Sequence, residues 1–291
     1  KRQVKDFANF SGVLLNAAGM SHLQFWIQGI DLTAKVVLLV VLITPYGLTG
    51  AAAAAVVSII VAEIAFGIVI FRRFRLRLRD LVRGARAWPE HPDPVEVVVR
   101  GAVQASAETE HLRGVLVASP AQALARLHVA AAAGLLPAQQ VGRPRVAGED
   151  AREFIDLGAA PACEVVRERL AGVADLVREA GRLPVPLVAA LVHAEIAVIR
   201  PFVLGNGLVA RAVERLLVQA AGLDPTGVAV PEVGYLDGGT TAYLGALSAY
   251  ATGSREGVAL WLRHSAESLV RGAAEGGRIA DAVRVGRLGG G

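Results

Sequence analysis

Residues 199–211, IRPFVLGNGLVAR, hold the spacing with the most chemistry in it. Gly205 and Gly207 flank Asn206, and Arg211 follows four residues after the second glycine. Glycines permit positive φ and a close approach of backbone to ligand. Successive N–H groups ahead of a helix make a concave anion site, which the helix dipole reinforces. Arg211 falls about one turn into the following helix, from where a guanidinium can reach back to a phosphate. Gly205, Asn206, Gly207 and Arg211 therefore form the candidate phosphate site. The same pattern also suits a plain Asn-Gly turn between helices, which needs no ligand.

Two helices must present this loop. LVAALVHAEIAVI, 187–199, is apolar nearly all round and reads as a central buried helix. Pro201 disfavours the helical conformation at Arg200, which ends it. LVARAVERLLVQAAG, 208–222, is the second helix, stopped by Gly222 and Pro225. Around them, 95–135 carries apolar residues at helical spacing. CEVVRERLAGVADLVREA, 163–180, places Val165, Val166, Leu170, Val173 and Val177 on one side. TAYLGALSAYAT and VALWLRHSAESLVRGAAE complete an all-helical domain over 97–285, and the Gly- and Pro-broken 144–161 reads as loop.

The N-terminal third has another character. The chain of 291 residues is 54% apolar, with mean hydropathy +0.48, and the excess is uneven. Residues 49–71 hold 23 residues with the single charge Glu63, and 25–44 are apolar apart from Asp31 and Lys35, four apart. Each is long enough for a ~30 Å hydrocarbon layer, so the reading is a transmembrane helical hairpin turned at PYGLTG, with Phe25 and Trp26 at the interface. Seven arginines in 72–86 follow it directly. They place what comes after on the cytoplasmic side, give a membrane localisation, and make anionic headgroups the expected contact instead of nucleic acid. The lipid bilayer is thus one partner, and a protein partner is unspecified. AWPEHPDPVE, 87–96, reads as a linker between membrane segment 1–86 and the helical domain. The single Cys163 excludes an intrachain disulfide and a cysteine zinc site. Lys1 at the start and a lone Met20 point to a piece of a longer chain.

Two resemblances follow from these residues. Residues 13–60 resemble a helix pair of polysaccharide flippases in the multidrug/oligosaccharide-lipid/polysaccharide exporter superfamily, on Asn16, Ala17, Gly19, the PYGLTGAA connector and Ser58. Two helices cannot build an alternating-access path, so transport is not expected. HAEIAVIRPFVLGNGLVAR, 193–211, resembles the Fic (Fido-fold) signature, His-Pro-Phe-x-Asp/Glu-Gly-Asn-Gly-Arg-x-x-Arg. Ile199, Pro201, Phe202, Gly205, Asn206, Gly207 and Arg211 keep its register. VGRPRV, 141–146, is similar to the family's edge segment, and AAPACEV, 159–165, sits where members carry a proline-rich turn. The resemblance implies ATP or another nucleotide and Mg²⁺ as cofactors, and AMP transfer to a protein hydroxyl.

Three positions depart from that signature. The family's catalytic base falls on Arg200, which stays protonated and cannot take a proton. Its acidic Mg²⁺ ligand falls on Leu204, which offers no side-chain oxygen to a hard cation. Its first phosphate arginine falls on Leu208. A positioned base alone contributes roughly 10²–10⁴ in rate. The expectation is a degenerate Fic-like pseudoenzyme that binds phosphate, with no catalytic or metal residue. The alternatives are a transferase with a rearranged site and a membrane-anchored interaction protein without ligand. SAETE, 106–110, resembles the family's inhibitory motif and nominates Glu110 as a contact for Arg211. His193, two turns below Arg200, reads as a satisfied core histidine, and the acids of GEDAREFID, 148–156, as a solvated face.

Overall fold

The computed structural model describes residues 37, 81–82, 84, 87–90, 92–153 and 157–286. It divides into two compact units, 1–100 and 101–291. Among the described residues no helix is long and apolar enough to cross a membrane. The spans expected at 25–44 and 49–71, with the flippase-like pair, lie outside those residues apart from Val37.

The described elements are helical: α1 (Pro94–Leu112), α2 (Pro120–Ala132), α3 (Cys163–Arg178), α4 (Val185–Ile199), α5 (Asn206–Ala220), α6 (Pro231–Asp237), α7 (Gly239–Ala251) and α8 (Arg255–Arg284). Their starts follow local chemistry. Asp93 and Glu96 cap α1 reciprocally, each side chain accepting from the other's backbone N–H at 2.8 and 3.0 Å. Proline opens α2 and α6, where a missing N–H costs nothing. Ser254 caps α8 by accepting from Gly257 N–H at 3.1 Å.

The antiparallel pair α4–α5 forms the centre of the domain. Val188, Val192 and Ile196 of α4 and Val209, Val213 and Leu216 of α5 are all fully buried and share one core with Leu112, Leu127, Val173, Val177 and Trp261. Helices α2, α3, α7 and α8 pack against that pair, and Gly101 of α1 lies against Ala131 of α2. The broad apolar surface of 187–199 thus becomes the hub, as its all-round hydrophobicity requires. On α3 the inward stripe is narrower than the spacing suggests: Val166, Val173 and Val177 are buried, but Val165 is exposed. Helix α5 begins at Asn206, two residues before the expected start, because the turn is completed at Gly205. The apolar residues at helical spacing over 95–135 fall on two helices, separated at 113–119 ahead of Pro120. Helix α6, on PEVGYLD, is too short to show a period; Gly234 in it lies so close to α8 that a Cβ would overlap the Ser268 backbone.

Candidate functional site

The site is built at the α4–α5 turn. Helix α4 ends where Pro201 denies Arg200 the right-handed helical region. Arg200 instead takes φ 47° and ψ 68°, the only non-glycine residue with positive φ among those described. Its guanidinium donates to the carbonyls of Gly158 (2.8 Å) and Ala159 (2.7 Å). Arg145, also buried, donates from Nε to the Arg200 carbonyl at 2.8 Å and from Nη2 to Pro161 O. Its own N–H donates to Pro201 O at 2.7 Å, and Arg152 N–H donates to Val203 O at 2.6 Å. Two guanidiniums thus fasten Gly158, Ala159 and Pro161 to the turn. Arg200 is thus a fastener whose donors face carbonyls.

His128 of α2 braces the turn from the other side, and nothing in the sequence spacing marks it. Its ring stacks on Phe202 at 3.9 Å and 10°. Gly142 N–H donates to Nδ1 at 2.9 Å, so Nε2 carries the proton and donates to Leu204 O at 3.1 Å. Burial lowers the His128 pKa to about 4, with the Leu204 contact opposing more weakly. The ring is neutral at pH 7, as this pairing demands.

Gly205 then caps α5 at φ 87° and ψ 11°, a conformation that costs glycine little. The Leu208 and Val209 N–H groups return to Gly205 O at 3.1 Å each. The N–H of Asn206 points forward, and what meets it is a carboxylate: Glu153 Oε1 accepts from Asn206 N at 2.8 Å and from Asn206 Nδ2 at 2.5 Å. Asn206 is fully buried and also ties the turn to itself, accepting from Phe202 N at 2.8 Å and donating to Phe202 O at 2.9 Å. Arg211 curls back over Gly207, with Nη1 3.5 Å from where a Cβ on Gly207 would lie. It lines the same small hollow as Tyr243. Burial pushes the Glu153 carboxyl up, against the bonds from Asn206 and the charges of Arg211 and Arg200. The remaining hollow, between Glu153, Gly207, Arg211 and Tyr243, measures about 30 Å³. That is room for about one water, far below the several hundred Å³ of a nucleotide-sized pocket.

Of the four expected residues, Asn206 donates to the Glu153 carboxylate, Gly207 and Arg211 line the hollow beside it, and Gly205 supplies the turn. Glu110 is not at this point: it is exposed near the end of α1, and the carboxylate that meets the loop is Glu153. The acids of 148–156 are accordingly not all on a solvated face. Asp150 is exposed, Glu149 pairs with Arg143 at 2.7 Å, Glu153 is drawn inward, and Asp156 lies outside the described residues. Leu204 and Leu208 are half-buried, and the Leu204 carbonyl is engaged by His128. Among the described residues no three His, Cys, Asp or Glu side chains cluster to hold a metal.

His193 lies inside the core, fully buried, with Nδ1 2.6 Å from Glu214 Oε2 and Nε2 2.9 Å from the Tyr243 hydroxyl. It is a satisfied core histidine, as its place on an apolar helix implies.

No family model and no curated protein matches the chain. Among solved structures it is similar to a fragment of Fic-1 from C. elegans, with 15% identity and a TM-score of 0.47 over 90% of this chain and 87% of that one. It is likewise similar to a single-substitution variant of that fragment, with 16% identity and a TM-score of 0.44 over 89% and 86%.

Proposed function

We propose that the helical unit is a Fic-like domain that binds the phosphates of a nucleotide at Gly205, Asn206, Gly207 and Arg211 and catalyses no transfer. One observation carries this reading: the turn holds a buried carboxylate oxygen on a helix-start N–H and an amide, beside an arginine. A phosphate oxygen uses the same donors. The absence of chemistry follows from Arg200 and Leu204. A guanidinium that donates to two carbonyls takes no proton from a hydroxyl, and a leucine side chain ligates no metal. The apolar segments 25–44 and 49–71 would tether the domain to the cytoplasmic face of a bilayer.

The small volume of the hollow favours a second reading, an interaction domain whose turn is satisfied internally by Glu153 and takes no ligand. Calorimetric titration of the full chain with ATP, with and without Mg²⁺, separates the readings. Binding that is indifferent to Mg²⁺ and lost in Arg211→Ala is expected. No heat at millimolar ATP, in the parent chain and in Glu153→Ala alike, establishes the interaction-domain reading instead. Mg²⁺-dependent labelling of a protein hydroxyl with AMP would overturn both.

A further inference from the structure

Six consecutive carbonyls of the turn, from Arg200 to Gly205, each accept a hydrogen bond. Arg145 holds the first two, Asn206 Nδ2 the Phe202 carbonyl, Arg152 N–H the Val203 carbonyl, and the start of α5 the Gly205 carbonyl. The Leu204 carbonyl is held from α2, where His128 Nε2 donates to it at 3.1 Å. A peptide unit is planar, so fixing that carbonyl also fixes the N–H side of Gly205. Gly205 follows at φ 87°, and a glycine moves readily between such angles and others. The plane before it must be held from outside if the next plane, which carries the Asn206 N–H, is to keep its direction.

His128 has a second hold on the same turn. Its ring stacks on Phe202 at 3.9 Å. The Phe202 N–H and carbonyl are both bonded to the Asn206 side chain, at 2.8 and 2.9 Å. Ala132 is four residues further along α2 and so on the same face. It lies 3.6 Å from where a Cβ on Gly205 would sit, and it packs with Val203. One face of α2 thus backs residues 202–205. His128 is fully buried, where a polar ring is costly unless its nitrogens are bonded. Both are bonded, to Gly142 N–H and the Leu204 carbonyl. An apolar ring could keep the stack but not the hold on that carbonyl.

We infer that His128 is a positioning residue for the anion donors of Asn206, acting through Phe202 and the Leu204 carbonyl. Those donors, the Asn206 N–H and side-chain amide, meet the Glu153 carboxylate at 2.8 and 2.5 Å. With the glycine turn ordered by α2 before any ligand arrives, an incoming anion meets donors already aimed. The inference rests on the phosphate-binding reading for its effect on affinity, but the direction of the Asn206 donors is separately observable.

The test uses the full chain labelled with ¹⁵N-asparagine, whose asparagines are Asn9, Asn16 and Asn206. The Asn206 backbone and side-chain signals are those that move in Glu153→Gln, which alters the carboxylate they meet. His128→Phe keeps a ring against Phe202 and removes the bond to the Leu204 carbonyl. The Asn206 signals are then expected to move, and ATP affinity to fall about five- to tenfold, the scale of one neutral hydrogen bond. His128→Gln restores a donor for Leu204 and an acceptor for Gly142, so its affinity should return to within about threefold of the parent. Its lost stack should still move the Asn206 signals, so it serves where His128→Phe does not fold. Asn206 signals unmoved in the folded variants overturn the inference. So does an unchanged affinity in His128→Phe, or an equal loss in His128→Gln, when the parent chain binds ATP. A parent chain that binds no ATP removes the proposed function, and the Asn206 signals alone then decide whether His128 aims those donors.

Discussion

Removing the Glu153 carboxylate should uncover the anion point. Two bonds hold it, to Asn206 N at 2.8 Å and Asn206 Nδ2 at 2.5 Å. Bonds to a charged group contribute about 1.5–3 kcal/mol each. Burial works against them, since the carboxyl is pushed up and its charged form is less favourable here than in water. Taking the net hold as one such bond, about 2 kcal/mol, an incoming phosphate must displace a competitor that weakens its apparent affinity roughly 30-fold. Glu153→Ala should therefore bind ATP and inorganic pyrophosphate about 10–100 times more tightly than the parent chain. Glu153→Gln keeps the volume and an acceptor oxygen but no charge, and should gain less. Isothermal titration of the three full-length proteins measures this directly. If Glu153→Ala retains its circular dichroism and its unfolding midpoint yet binds within twofold of the parent, the carboxylate is not competing for the point. The donors of Asn206 would then be structural only.

Two further outcomes follow from the braces of the turn. His128 has a folded pKa of about 4 against 6.5 when free. Below pH 6.5 the unfolded chain takes up a proton that the folded chain refuses. Stability should thus fall as pH drops from 6.5 to 4, by up to about 3 kcal/mol from this group. Urea melts across that range should show the slope in the parent chain and a flatter one in His128→Gln, which can still accept from Gly142 and donate to Leu204. Arg200→Gly pits two effects against each other. It relieves a left-handed residue, worth about 1–2 kcal/mol, and it removes the donors to the Gly158 and Ala159 carbonyls, worth about 1.5–3 kcal/mol each. The loss outweighs the gain, so the variant should melt less stably by about 2–4 kcal/mol. A variant more stable than the parent would show that the clamp on 158–159 contributes little.

What could be read from residues 199–211 alone, and what could not, divides by range. A proline that ends a helix and a glycine that starts one act through the backbone of their own neighbourhood. The break at Arg200 was therefore legible from Pro201, and the start of α5 was placed two residues late, at 208 instead of Asn206. The central burial of 187–199 was legible for a similar reason, because an all-round apolar helix has nowhere else to go. Glu153 and His128 act across 53 and 76 residues, on partners that only the fold brings within reach. No spacing rule covers them. Glu110 shows the converse: a Ser-x-x-x-Glu spacing is a helix-face statement, and it does not say which helix the face meets. His193 was legible as a core residue, but its partners were not: Glu214 and Tyr243 lie 21 and 50 residues further on. The local pattern therefore identifies the shape of the turn, while the residues that fill it and tension it are set by packing. In this chain the turn's support comes from two buried arginines, a neutral histidine and a carboxylate on the helix start, each brought there from outside the glycine pair itself.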